Sequence, residues 1–302
     1  MFTQVVSALP AAERFAVGHV TIAAITTMKP LRRVVFWPVA ASALVLVAST
    51  LMVGSPADAA ARPSGKAMPN APVGYHRVLA QNFKGTTLPS GWHPYYGQAG
   101  SDTGGWWSPT HVTVGGGVLT LRTYKDPAHA GPDNAWVEGG IDLWPSGVLT
   151  DGEYLVRSRV SSATGVTEVM LLWPNSDSWP PEIDFNESNG TNESTAHLIY
   201  GSASHPQTTQ SGTLTPAAVN LTQWHTWGVI VSPTTITYTL DRRTWATMVN
   251  HEQVPMHLAL QQQVWACGNS SGRTCPSAAT PAEVDMQIDW VEVFALGHRQ
   301  RR

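Results

Sequence analysis

The sequence predicts an all-β fold. Short stretches rich in β-branched and aromatic residues recur between Gly, Pro, Asn and Ser turns. Several alternate polar and apolar residues, the mark of a sheet with one solvated face. No long helical period interrupts them. Many short strands with such punctuation build a sandwich or a barrel, and periodicity does not choose between the two.

The stretches lie at 118–124, 153–160, 168–173, 227–231, 235–240 and 284–294. The first alternates Leu119 and Leu121 with threonines and Arg122. The second carries Tyr154, Leu155, Val156 and Val160, and the third is an apolar run ending at Trp173. The fourth holds Trp227, Val229, Ile230 and Val231. The fifth alternates threonines with Ile236, Tyr238 and Leu240. In the last, Asp285, Gln287 and Asp289 alternate with Val284, Met286 and Ile288 before Trp290 and Phe294.

Composition narrows what such a fold can do. Charged residues are 13% of the 302, about half the roughly 25% of an ordinary soluble domain. Hydrophobic residues make up 42% and tryptophan alone 13 positions, so the bulk of the chain folds. A net charge of −3 and a pI near 6.4 exclude nucleic acid as a partner, because phosphate binding needs a basic surface. Two cysteines are too few for a disulfide scaffold or a Cys-ligated zinc. No self-similarity at a period of about 20–50 residues marks a repeat protein.

The N-terminal region reads as a targeting segment. Lys29, Arg32 and Arg33 precede an uncharged, mostly apolar run from 34 to 53, and Ala57-Asp58-Ala59 follows. Basic start, apolar middle and small-x-small end are the parts of a secretory signal. Twenty apolar residues could also span a bilayer, but the small-residue spacing favours cleavage, so no stable membrane insertion is expected. Residues 1–27 are read as an extension ahead of a true start at Met28, and 28–59 as the signal. A flexible leader is expected over 60–79, rich in Pro, Ala and Gly at its start, followed by one catalytic domain over 80–298.

The chemistry sits in one hexapeptide. Glu182, Asp184 and Glu187 place three carboxylates within six residues. On a strand, residues two apart share a face, so Glu182 and Asp184 point the same way. Glu187 is out of phase by one, and one extra residue in a β-bulge re-aims it onto their face. Ile183 and Phe185 then fill the core side. Three carboxylates on one open face repel each other and add nothing to folding. A retaining glycosidase, however, needs two carboxyl groups about 5–5.5 Å apart, one nucleophile and one acid/base. Close like charges cannot all ionise at one pH, which keeps one of them protonated as the acid.

Glu182-x-Asp184-x-x-Glu187 resembles the catalytic signature of family 16 glycoside hydrolases, in the bulged, laminarinase-like form. The resemblance extends over about 80–296. Residues 81–92 are similar to the family's opening strand and loop, and 147–160 to its Gly-x-x-x-x-Arg strand with Arg157 in the Arg place. Trp173-Pro174 and Trp179-Pro180 match its Trp-Pro landmarks, and Thr195-Ala196-His197 its Thr-x-His. Residues 223–227 and 288–293 resemble two further strands. The chain departs from the pattern at Leu155 (usually Glu), Pro181 (Gly), Val231 (Trp) and Arg242 (Gly). The resemblance implies a jelly-roll β-sandwich of two curved antiparallel sheets with a concave substrate cleft. It implies Glu182 as nucleophile, Glu187 as acid/base, Asp184 as their helper and His197 beside Glu187.

Sugar rings stack on aromatic faces. Trp179, which abuts the signature, is the leading candidate for substrate binding, followed by Trp173, Trp136 and Trp265, with Arg157 beside them. Core packing is the competing role for each tryptophan. Cys267 and Cys275 are expected to form a disulfide closing a small stabilising loop. No His-x-His or His-Glu-x-x-His occurs, so no metal site is read. The stretch from Asp184 resembles a calcium loop but has Asn189 where the sixth-position glycine belongs. No cofactor is expected; a structural calcium is known in similar enzymes. Asn186, Asn189 and Asn192 head formal glycosylation sequons, taken as chance in a polar loop.

The expected function is a secreted, extracellular, monomeric, retaining endo-glycosidase that hydrolyses a polysaccharide, β-1,3-glucan of the laminarin type before mixed-linkage glucan or galactans. Transglycosylation on the same site and a non-catalytic carbohydrate-binding module are the alternatives. N-terminal sequencing of the secreted product is expected to begin within about two residues of Ala60; intact residues 1–27 on it would contradict the signal.

Overall fold

The computed structural model describes residues 62–98, 104–131, 135–190, 193–201, 208–214, 219–269 and 272–297. The N-terminal extension and the signal segment, 1–59, lie outside the described residues. Every stretch read as a strand is one, and the strands form two sheets. The larger runs in the order β16 (Arg243–Val249), β15 (Thr235–Leu240), β14 (His225–Val231), β9 (Gly152–Val160), β18 (Glu283–Leu296), β6 (Val118–Lys125), β7 (Trp136–Glu138), β4 (Gly105–Trp107) and β3 (Gly97–Gln98). Here β1 (Tyr75–Gln81) also pairs with β18, and β5 (Val112–Gly115) with β6. The smaller sheet runs β13 (Thr208–Leu214), β12 (Ser194–Tyr200), β11 (Glu182–Ser188), β10 (Val166–Pro174), β17 (Met256–Val264), β8 (Gly140–Leu143) and β2 (Trp92–Pro94). Pairing is antiparallel apart from β4 with β7, which run parallel. Among the described residues no helix is long and apolar enough to cross a membrane.

The core lies between the sheets. Met170, Leu172, Ile183, Phe185, Leu258 and Leu260 meet Tyr154, Val156, Met286, Ile288 and Val291 from the other sheet. The apolar run in β10 has a second cause: Val169, Leu171 and Trp173 face away from this core and pack with Ala259, Tyr95 and Trp179. Both faces of β10 are therefore covered, and polar–apolar alternation disappears.

A bulge in β18 does the opposite job. The register with β9 shifts between Ile288 and Trp290. Met286 and Ile288 face the core before the shift, Val291 and Val293 after it. Trp290 and Phe294 are thereby turned to the outer face, where they pack with Leu155, Met68 and Tyr75. The segment expected as a flexible leader covers them. Trp290 Nε1 donates to the Lys66 carbonyl at 3.0 Å, Ser64 bonds to Asp289, and Arg77 pairs with Glu292 at 2.7 Å. From Arg62 onward this stretch is thus a strap across the larger sheet, because that sheet's outer face exposes apolar and acidic groups needing cover. Leu155, where the family has Glu, belongs to this patch. Val231 is core. Asp241 and Arg242 form the turn between β15 and β16 with φ of 50° and 69°, which glycine would adopt at lower cost.

A chain beginning at Val73 should keep its fold but lose the Ser64, Lys66 and Met68 part of this cover, and its Tm is expected to fall by roughly 5–10 °C. Thermal melting of the two chains checks it; an unchanged Tm would return the strap to a leader.

Candidate active site

The three carboxylates sit on β11, next to the middle of the smaller sheet. Asp184 pairs with Leu171 on β10 and His197 on β12; Glu187 pairs with Val169 and Thr195. Two steps on each neighbour thus match three on β11, so the strand carries one extra residue between Asp184 and Glu187. That is the expected bulge. Ile183 and Phe185 go to the core, and Glu182, Asp184 and Glu187 share the other face. Asn186 turns away and accepts from Ser194 Oγ at 2.6 Å.

The face is less open than the sequence suggests. Glu182, Asp184 and Glu187 are 0, 4 and 3% exposed, because aromatic and basic side chains cover them. Trp179 Nε1 donates to Glu182 Oε2 at 2.8 Å, and the chain enters β11 through cis peptides at Trp179–Pro180 and Pro180–Pro181. His197 Nδ1 lies 2.8 Å from Glu187 Oε2 and 3.6 Å from Asp184 Oδ2. Arg273 Nη2 lies 2.7 Å from Glu187 Oε1.

Charge follows from these contacts. Burial, helped by the neighbouring Asp184, pushes Glu182 well above the usual carboxylate range. Burial also raises Asp184, against the opposing pull of His197. For Glu187 burial acts upward too, but His197 and the Arg273 guanidinium outweigh it and hold the carboxyl low. Burial disfavours the charged imidazole of His197, yet Asp184 and Glu187 lift it to about 10. Of the two, Glu182 is the carboxyl whose charge the site disfavours and Glu187 the one whose charge it favours. The resemblance requires the reverse at the moment of reaction.

A row of side chains crosses the sheet in register with Asp184: His197, Asp184, Leu171, Ala259, Asp142 and His93. Five strand steps of about 4.8 Å make it about 24 Å long. In other rows of the same face the buried atoms Trp173 Nε1, His257 Nδ1, the Gln261 amide and Gln263 Oε1 have no hydrogen-bond partner among the described residues. Donor atoms of Asp184, Glu187 and His197 lie within 4.8 Å of one another, close enough to surround a cation. In this arrangement Arg273 and His197 supply the charge that compensates Glu187.

The profile of Glycosyl hydrolases family 16 matches residues 102–292. The chain belongs to this family. It is a glycoside hydrolase, and its fold recurs in solved structures at low identity. The laminarinase from Rhodothermus marinus superposes with a TM-score of 0.63 at 18% identity, covering 74% of this chain and 98% of that one. A family 16 enzyme of the Bacteroides ovatus mixed-linkage glucan system, in complex with a G4G4G3G product, gives 0.60 at 15%, covering 71% and 99%. A structure from work on endo-acting O-glycanases that human gut microbiota use to initiate mucin breakdown gives 0.64 at 18%, covering 76% and 94%. No curated protein matches the chain.

The other expected site residues of this family 16 hydrolase separate. Trp173 and Trp179 lie in the apolar cluster on the carboxylate face. Trp265 donates to Thr167 Oγ1 at 2.7 Å and carries the Arg273 guanidinium 5.4 Å from its ring centroid. Trp136 instead packs against Ala163, Val166, Val264 and Val284 with Lys125 over its ring. Arg157 is a correction: strand alternation on β9 puts Tyr154 and Val156 in the core and Arg157 on the outer face of the other sheet. There it pairs with Asp241 at 3.4 Å, which His225 also holds at 2.7 Å. The Cys267–Cys275 disulfide forms, but its loop does more than stabilise, since it delivers Arg273. Arg273, Gln261, His257 and Asp142 have no sequence signal; the pairing register brings Gln261, His257 and Asp142 to this face, and the disulfide loop brings Arg273.

His197 gives the site a pH signature. Its value of about 10 lies above the 6.5 of the unfolded chain. Its contribution to stability is complete below about pH 6.5 and is lost as pH rises through about 10. The Tm advantage of the wild type over His197→Gln is expected to shrink across that window; a constant difference would rule out a charged His197.

Proposed function

We propose that this hydrolase is a retaining, endo-acting β-glucanase, secreted, monomeric and acting on β-1,3-glucan of the laminarin type. The observation that carries the reading is the bulge that returns Glu187 to the face of Glu182 and Asp184. Glu182 is the nucleophile that attacks the anomeric carbon. Glu187 protonates the leaving oxygen and then activates the water that releases the glycosyl-enzyme. Asp184 lies between them and raises the cost of ionising Glu182, so attack draws on a carboxylate that the site stabilises poorly. The unpartnered Trp173, His257, Gln261 and Gln263 atoms suit sugar hydroxyls, which can donate and accept. A row running across the sheet suits a chain cut internally. The laminarinase neighbour supports the choice of linkage; the mucin-directed and mixed-linkage neighbours define the controls.

Reducing-sugar release by residues 60–302 from laminarin, lichenan, agarose and carrageenan tests the reading. Laminarin is expected to be cleaved. Glu182→Gln and Glu187→Gln should each lower the rate by roughly 10²–10⁴-fold without unfolding the domain. Either variant keeping more than a few per cent of activity would remove the assignment, and products longer than the substrate would turn it toward transglycosylation.

A further inference from the structure

The disulfide-closed loop holds a cation on the proposed acid. Arg273 is two residues before Cys275, and the loop is anchored from within: Arg273 N–H donates to Asn269 Oδ1 at 2.9 Å, and Asn269 Nδ2 donates to the Arg273 carbonyl at 2.6 Å and the Ala266 carbonyl at 2.7 Å. The backbone is therefore tethered while the side chain keeps its rotatable bonds. Its guanidinium lies between the Trp265 ring and Glu187 Oε1. With His197 on Oε2, both oxygens of Glu187 face a cation, and neither can carry the proton a leaving group needs. From its own strand Glu187 faces Asp184 and Glu182, from β12 His197, and from the loop Arg273; β10 presents Val169, which does not titrate.

We propose that Arg273 is a positioning residue: it holds Glu187 ionised, and the sugar on the leaving-group side takes the guanidinium away, so that glycan entry readies the acid. This rests on reading Glu187 as the acid/base. An arginine on an aromatic face can turn its N–H groups to sugar hydroxyls without leaving that face. The proton count closes. Once the guanidinium has moved, the proton on Glu182 is the one that Glu187 needs; its transfer leaves Glu182 as carboxylate and Glu187 as acid, with the charge of the pair unchanged.

The test uses Arg273→Gln and Arg273→Lys in the full domain. The pH dependence of kcat/KM reports the free enzyme and that of kcat the complex. With laminarin, Arg273→Gln is expected to move the acidic limb of kcat/KM, which Glu187 sets as the lower of the pair, upward by about one pH unit or more, and to leave the kcat limb in place. Arg273→Lys should keep the wild-type limbs. An unmoved kcat/KM limb overturns the proposal, and so do equal movements of both limbs, because the cation would then remain on Glu187 in the complex. A ¹³C NMR titration of the glutamate carboxyls provides a readout independent of turnover. The Glu187 midpoint should rise in Arg273→Gln and not in Arg273→Lys, and a stationary midpoint also overturns the proposal. If the wild type releases no sugar from any glucan while that midpoint still moves, the acid/base reading fails and the Arg273–Glu187 contact stands.

Discussion

Burying three carboxyl groups on one seven-residue strand is the constraint around which this fold is arranged. An unpaired buried carboxylate costs several kcal/mol, so each group must lose its charge or find a partner. Glu182 is pushed toward its neutral form and takes a hydrogen bond from Trp179. Glu187 is given two cations, and Asp184 shares one of them. The partners come from three directions: the approach to β11, the neighbouring β12 and a disulfide loop nearly ninety positions further along the chain. The jelly roll brings these together, and no local stretch could do so.

Two bulges decide which side chains face where. Without the extra residue in β11, Glu187 would enter the core and Asn186 would stand in its place. Without the shift in β18, Trp290 and Phe294 would compete with Val291 and Val293 for the interior. Both shifts re-aim side chains by departing from a two-residue period, and each is tied to a group that needs the new direction. One serves the carboxylates and the other the strap over the outer face.

Six strands were legible because turn residues and β-branched runs delimit them, whereas β17 was not read; the trio was legible because its spacing fits a bulged strand. The strap was not, since Pro, Ala and Gly signal flexibility unless the surface beneath is known. Arg157 shows the limit of a motif: its place in the strand was readable, but which of two sheets owns that strand was not. Arg273 lay beyond reach for a related reason. A loop between two cysteines reads as stabilisation, and its contact with Glu187 depends on how β17 and the loop after it lie over β11.

The strap and the end of β18 meet where Gly297 N–H donates to the Gly74 carbonyl at 2.6 Å. This junction belongs to the larger sheet, and the carboxylate face belongs to the far side of the smaller one. Polypeptide joined at either end therefore emerges behind the sandwich. An anchoring or substrate-targeting module could be appended there, at the N-terminus or the C-terminus, without shadowing the carboxylate face.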